Sequence, residues 1–220
     1  MSAYNRDQEQ AIGLVRRFLR EVSAARKDRL QRMIQDYLAF RKEVAAFQER
    51  FFSEVCTRKC FTSRTSACCG REGIGIFFAD VLVNALMSTE AELDGLLQIL
   101  SKDSGGPKCV YLTGTGCAWR IKPIVCEMFL CQHAKDMVLG SDKDLAGQWD
   151  RLRQKDRQYT WPDGPVLFDA LEDIFIRDGY DSPLMYCHKS PGLLRLKAKA
   201  ARKASNPTHQ THPGRKKVGT

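Results

Sequence analysis

The chain of 220 residues has no uninterrupted apolar run approaching the roughly 18 residues that a membrane-spanning helix requires. Residues 1–10 are polar and charged, whereas a secretory signal begins with a short basic stretch followed by an apolar run. The overall composition, 43% hydrophobic and 28% charged, is typical of a soluble globular protein. We therefore expect a cytoplasmic protein that makes no membrane contact.

Familiar catalytic motifs are also missing. The sequence contains no Gly-rich phosphate loop, no His-Glu-x-x-His zinc motif and no Gly-x-Ser-x-Gly elbow. The paired Cys-x2-Cys knuckles of common zinc fingers are absent as well. No residue stands out as a general base or nucleophile, so of the functional classes considered below an enzyme is the least supported.

Cysteine is unusually abundant. The chain has nine cysteines, and eight of them lie between Cys56 and Cys131. Clustering of this kind indicates either disulfides or a bound metal, because both bring several sulfur atoms together. In the absence of an export signal we expect the thiols to stay reduced, which favours metal binding.

The clustered cysteines form two stretches of four. The first stretch has three residues between its first two cysteines and ends in an adjacent pair, and the second is more evenly spaced. Four plus four thiolates match two four-coordinate zinc sites, or one or two clusters of iron and sulfide. Soft sulfur ligands select zinc, copper(I) or iron–sulfur over magnesium, calcium or manganese. We predict as metal ligands Cys56, Cys60, Cys68, Cys69, Cys109, Cys117, Cys126 and Cys131.

The residues around these cysteines fit such a site. Nearby cations would offset the negative charge of the thiolates and lower their pKa values, although ordinary exposed basic residues are an equal alternative. Phe77, Phe78 and Phe129 are expected to form a dry shell around the metal. The basic residues in question are Arg58, Lys59, Arg64, Arg71, Lys108, Arg120 and Lys122.

The order of these motifs resembles a known family. Cys56, Cys60 and the Cys68-Cys69 pair are followed by Cys109-Val-Tyr-Leu, and then by a Lys-Pro pair before the last two cysteines. This arrangement is similar to the zinc- or iron-chelating cysteine-cluster proteins of bacteria, the YkgJ-like family. The resemblance covers residues 56–131, about a third of the chain. It departs from the family pattern in the first cluster, where seven residues separate Cys60 from Cys68.

The resemblance implies metal or iron–sulfur binding by the same eight cysteines, but it does not imply a reaction. Some members of the family are similar to flagellin lysine methylases, so an iron–sulfur-dependent enzyme or an electron carrier is retained as an alternative. A third class is an interaction protein in which the metal only stabilises the fold. Elsewhere, Cys187, His188 and His133 are expected not to be ligands.

We predict a mainly α-helical fold with minor β structure. Residues 1–55 have apolar side chains at three- and four-residue steps, which predicts one long amphipathic helix with a stutter near residues 24–29, or two helices meeting there. Residues 56–192 form the predicted cysteine-cluster domain. Within it, Thr89 and Glu92 have the spacing of a capping box that begins a helix reaching Leu100.

Residues 193–220 form a basic tail whose composition predicts disorder. Eight basic residues and no acid lie from Arg195 onward, so the tail accounts for nearly all of the +9 net charge. The tail fits a solvated end, a weak contact with RNA, or binding to a membrane surface, and we favour the first. A protein partner could also contact the N-terminal helical segment.

Overall fold

The computed structural model describes residues 2–70, 75–102, 106–161 and 166–190, together with residues 194, 195 and 198. Within these residues a single two-stranded sheet accompanies the helices, so the predicted mainly α fold is confirmed. No helix in the described ranges is both long and apolar enough to cross a membrane. The elements are α1 Ala3–Glu21, α2 Ala24–Met33, α3 Gln35–Phe52, a π-helix Ser53–Phe61, α4 Phe78–Met87, α5 Glu90–Ser101, β1 Leu112–Thr113, β2 Gly116–Cys117, α6 Ile124–Met128, α7 Gln132–Val138, α8 Lys143–Thr160, α9 Leu167–Arg177 and α10 Tyr186–Lys189.

The N-terminal segment contains three helices, where the sequence predicts one or two. The first break follows α1, because Val22 is extended and the Ser23 hydroxyl caps the next helix by accepting the Arg26 N–H at 3.3 Å. The second break lies at Ile34, whose ψ of 0° falls outside the regular helical range. The first break lies beside the predicted stutter at residues 24–29, whereas the second is marked only by one irregular residue and was not predicted.

Aromatic side chains connect the helices of the core. Phe18 of α1 lies against Phe175 of α9, with ring centroids 4.1 Å apart, and its edge meets Tyr180 at 5.6 Å. Phe47 of α3 stacks on Trp149 of α8 at 5.7 Å. Because these rings come from helices distant in sequence, their burial joins the N-terminal helices to the C-terminal ones in one hydrophobic core.

The predicted capping box at the start of α5 is confirmed. The Thr89 hydroxyl accepts the Glu92 N–H at 3.3 Å, and the Glu92 carboxylate accepts the Thr89 N–H at 2.7 Å. The same carboxylate pairs with Arg120 at 3.1 Å. The cap thereby also connects α5 to the second cysteine stretch.

Parts of the predicted organisation lie outside the described residues. Apart from residues 194, 195 and 198, the basic tail is in this category, as are Arg71 and the glycine at position 73 in the first cysteine region. The proposed RNA contact of the tail therefore stays a prediction from sequence.

Truncation of Phe18 tests the aromatic core. Phe18 is 1% exposed, so Phe18→Ala leaves a cavity between α1 and α9 and should lower the free energy of unfolding by about 3–5 kcal/mol. Urea unfolding followed by circular dichroism measures the change. As a control, Ile176→Ala removes a side chain that is 38% exposed on α9 and should cost less than about 1 kcal/mol. Equal losses in the two variants would contradict this description of the core.

Candidate metal centre

Backbone pairing holds the two cysteine stretches side by side. The Cys109 N–H donates to the Cys69 carbonyl at 2.9 Å, and Gly70 pairs with Lys108 in an isolated antiparallel bridge. The Lys108 ammonium donates to the carbonyls of Thr65 and Ser66 in the loop that precedes the adjacent cysteines. Sulfur atoms that are some forty residues apart in sequence are thereby brought into one region.

The first two cysteines lie on a π-helix. In this rare form the backbone bonds run from residue i to i+5, so each turn is wider than in an α-helix, and such turns occur often at functional sites. Cys56 and Cys60 are four residues apart and therefore stay on nearly the same face. Both are half-buried and line the same cavity. The Thr62 N–H continues the i to i+5 pattern by donating to the Thr57 carbonyl at 3.1 Å.

A tightly bent loop returns the chain from Cys60 to the adjacent cysteines. Arg64 and Ser66 have φ values of 60° and 37°, in the left-handed region that residues with side chains seldom adopt. The Cys60 carbonyl accepts the N–H groups of Thr65 and Ser66 at 3.0 and 3.2 Å. The Ala67 N–H points at the Cys60 sulfur at 3.5 Å. Backbone strain of this kind persists only where the surroundings hold it, and it accumulates at functional sites.

One set of thiols surrounds a cavity of about 440 Å³. Cys131 enters it from the second stretch and caps α7, its sulfur accepting the Ala134 N–H at 3.4 Å. Desolvation raises the pKa of Cys56, and the neighbouring thiols Cys68, Cys131 and Cys60 raise it further. We call Cys56, Cys60, Cys68 and Cys131 the cavity group.

The other set lies around the β1–β2 hairpin. Cys126 is exposed at the surface, yet desolvation raises its pKa to about 12, and Cys109, Cys117, Asp80 and Cys68 add to the effect. Cys69 interacts electrostatically with Cys109, Cys117 and Cys126. We call Cys69, Cys109, Cys117 and Cys126 the hairpin group.

The adjacent cysteines belong to different groups and are joined by a hydrogen bond. The Cys68 thiol donates to the Cys69 sulfur, which raises the pKa of Cys68 and lowers that of Cys69. Cys69 also lines the cavity. The pair therefore forms the boundary between the cavity group and the hairpin group.

Backbone N–H groups point at two sulfurs of the hairpin group. Burial raises the pKa of Cys109 and of Cys117, and the backbone N–H groups of Tyr111 and Trp119, two residues further along the chain, partly oppose that rise. Hydrogen bonds of this kind favour the ionised thiolate. The pKa values of these thiols nevertheless stay raised, so their ionisation would require a bound cation.

The cations predicted to surround the thiols have divided roles. The neighbouring Cys69 raises the pKa of Cys68 and burial raises that of Cys117, and Lys122 opposes both rises. Lys59 lines the cavity, but it also lies 3.9 Å from Glu54. Arg58 and Arg120 form ion pairs with glutamates, and Lys108 holds the bent loop. Lys122 is thus the predicted cation with the clearest effect on the sulfurs.

The sulfurs are grouped but do not converge to coordination distance. Among the described residues, no three His, Cys, Asp or Glu side chains form a group ready to hold a metal ion. All nine cysteines lie in the described part of the chain, and no pair of them forms a disulfide. Binding of an ion would therefore require the thiol side chains of each group to turn toward a common centre.

The aromatic residues predicted to form the dry shell are divided. Phe129 lines the cavity and is 53% exposed. Phe78 packs in the core against Phe175 at 4.8 Å, and Phe77 meets Phe168 at 5.6 Å. The apolar rim of the cavity therefore comes from other residues as well, namely Val55, Phe61, Leu130 and Ala134.

His133 and Cys187, neither of which is predicted to bind metal, lie in different parts of the structure. His133 lines the cavity together with the cavity group. Cys187 is fully buried, and its N–H donates to the Glu172 carboxylate at 3.4 Å. Next to it, His188 contacts the same carboxylate at 2.9 Å. Cys187 thus belongs to a separate polar cluster in the core.

Two polar residues in α4, missed in the sequence analysis, position the segment before α6. Asp80 accepts the N–H groups of Phe77 and Ile124, each at 3.0 Å, and Asn84 accepts the Ile121 N–H at 2.9 Å. Their spacing of four residues puts both on one face of an otherwise apolar helix. That pattern is the signal that could have identified them.

Arg41 also positions the segment before α6. It is 7% exposed and donates to the Lys122 carbonyl at 2.7 Å and to the Tyr37 hydroxyl at 3.0 Å. Its guanidinium also lies 3.7 Å from Glu127 on α6. Asp80, Asn84 and Arg41 together fix the backbone that leads to Cys126.

Comparisons with models of known protein families, with curated proteins and with solved structures find no match to this chain. A functional assignment therefore depends on the chemistry of the site.

The buried Asp80 carboxyl predicts a pH-dependent stability. Burial raises its pKa from 3.8 to about 7, so the folded state binds more protons than the unfolded state between these values. The free energy of unfolding should fall as pH rises through this window, by at most about 4 kcal/mol. Urea unfolding of the metal-free protein at several pH values measures the slope.

Asp80→Asn should remove most of this slope. A smaller slope should remain, because burial also raises the pKa of Asp156 to about 6. Asp150→Asn, an exposed aspartate paired with Arg153, is the control and should keep the wild-type slope. An Asp80→Asn protein with the full wild-type slope would rule out this carboxyl as the cause.

Proposed function

We propose that this protein binds metal, holding zinc or an iron–sulfur centre through the thiolates of its clustered cysteines. The main support is the grouping of eight distant cysteines into two sets of four, the cavity group and the hairpin group. Four sulfur ligands are the usual complement of a structural zinc ion or of an iron–sulfur cluster. The resemblance to the YkgJ-like family also supports metal binding.

The hydrogen bonds at the site support this proposal further. A thiolate must lose its proton to bind metal, and N–H groups directed at sulfur favour that loss. Such bonds reach the sulfurs of Cys60, at 3.5 Å, and Cys131, at 3.4 Å. Thiolate sites of this kind need reduced cysteines, so we also propose that the protein acts in the cytoplasm.

The cavity beside the cavity group supports a second candidate function. A structural site is closed by four sulfurs, whereas a catalytic or electron-transferring centre keeps an accessible position. The cavity of about 440 Å³ would let a small molecule reach an ion at Cys56, Cys60 and Cys131. An enzyme or electron carrier of the lysine-methylase type would use that opening. If added thiols cannot reach the bound ion, that result would contradict this second candidate.

Metal content tests the main proposal. Anaerobically purified protein should contain bound zinc or iron, measured by elemental analysis. The double variant Cys68→Ser, Cys69→Ser removes one ligand from each group, so it should lose most of the metal and unfold at a lower temperature. Cys187→Ser is the control, because Cys187 lies outside both groups, and it should keep the metal.

Single substitutions test the division into groups. Cys131→Ser should reduce binding at the cavity group only, and Cys117→Ser at the hairpin group only, so each should remove about half of the metal that the double variant loses. Unchanged metal content in the double variant would count against metal binding altogether. Complete loss in either single variant would show that all eight sulfurs serve one centre.

A further inference from the structure

A groove of about 550 Å³ lies between α3 and α8, and none of the residues that line it also lines the cavity beside the cavity group. Phe47 of α3 stacks on Trp149 of α8 at this groove. One turn earlier on α3, Glu43 lies 2.5 Å from Lys155, which comes later on α8, so the two helices run antiparallel. Clefts of about 300–1,000 Å³ are typical of sites that bind small molecules.

The groove combines an apolar floor with two basic walls. Arg50 of α3 lines one side, and Arg151 of α8 lines the other. Among the described residues, the one carboxylate that lines the groove is that of Glu43, and Lys155 offsets its charge. The two guanidiniums therefore leave the groove with a net positive charge. The apolar lining consists of Ala46, Phe47, Phe51 and Leu152.

Neither arginine forms an ion pair within the described part of the chain. The Arg50 guanidinium lies over the Phe51 ring, 5.0 Å from its centroid. Glu54 follows Arg50 by four residues, which is a favourable spacing on a helix, but it pairs with Arg58 at 3.1 Å instead. The positions three and four residues on either side of Arg151 contain no acid, since they are Gly147, Gln148, Gln154 and Lys155.

The Arg151 side chain extends back along α8 toward Gly147. Its Nη1 atom lies 3.7 Å from the point that a Cβ on Gly147 would occupy. Because the helices run antiparallel and Phe47 lies opposite Trp149, Gly147 is near the level of Arg50. The Arg151 guanidinium is thereby brought toward the end of the groove that Arg50 lines, whereas the Glu43–Lys155 pair occupies the other end.

We propose that this groove binds a small amphipathic anion, with a carboxylate or phosphate head between Arg50 and Arg151 and an apolar body against Phe51 and Leu152. A guanidinium presents paired N–H donors that match the oxygens of both head groups. Phe51 and Leu152 provide the carbon surface that an apolar body needs. This site is separate from the cysteines, so it does not depend on the proposed metal binding.

Fluorescence titration of the full chain with 8-anilinonaphthalene-1-sulfonate, an aromatic anion, tests the proposal. Arg50→Gln and Arg151→Gln should each raise the dissociation constant of the probe about fivefold, because each removes a charged contact at a partly exposed site. The double variant should bind more weakly than either. Octanoate or octyl phosphate should displace the probe from the wild type, and the more effective of the two identifies the preferred head group.

Arg153→Gln is the matched control. Arg153 also lies on α8, but it pairs with Asp150 at 3.7 Å and does not line the groove, so its loss should leave the dissociation constant unchanged. A second control is octanol, which has the apolar body without the charge and should displace the probe far less well than octanoate. Circular dichroism checks that all variants remain folded.

The possible outcomes are distinct. Equal probe affinity in the wild type and the Arg50→Gln, Arg151→Gln double variant would overturn the site. Binding that is lost in Phe129→Ala but not in the arginine variants would place the probe in the cavity beside the cavity group, which would also overturn it. Displacement by octanol as effective as that by octanoate would overturn the role of the charge. Because neither arginine is near a predicted metal ligand, loss of probe binding should leave the metal content unchanged.

Discussion

Mutual repulsion between crowded thiolates is the constraint on which the site depends. In both groups the neighbouring sulfurs raise one another's pKa, on top of desolvation, so several negative charges cannot coexist there without a cation. The fold nevertheless directs N–H groups at Cys60 and Cys131, and the charge of Lys122 acts on Cys68 and Cys117. A region that crowds thiols and raises their pKa values would hold them as thiolates only around a cation that the sulfurs share.

The rest of the molecule can be understood as support for that region. The hydrophobic core fixes α3, from which the π-helix with Cys56 and Cys60 continues. Asp80 and Asn84 hold the backbone before α6, and Arg41 holds it from the other side through the Lys122 carbonyl. These buried polar contacts cost desolvation and make the hydrogen bonds that offset it. They fix the chain near Cys126 without contributing a sulfur.

The helical class and the local motifs could be predicted from sequence better than the arrangement of the cysteines in space. Cysteine clustering, the Thr89–Glu92 capping box and the apolar periodicity are local patterns, and a single chain displays them directly. The grouping is not local. Cys131 joins the first stretch and Cys69 contacts both groups, because the backbone pairing of residues 69–70 with 108–109 brings the two stretches together. Spacing alone contains no information on that pairing. The π-helix and the left-handed residues Arg64 and Ser66 could not be predicted from the sequence either. A left-handed position is usually marked by glycine, and neither of these two residues is one.

Native mass spectrometry of the anaerobically purified chain tests the central claim most directly. We expect a folded species heavier than the reduced polypeptide by the mass of one or two metal centres, and its mass should fall to that of the polypeptide when acid protonates the thiols. A folded species at the reduced polypeptide mass, or lighter by the hydrogens lost in disulfides, would contradict it.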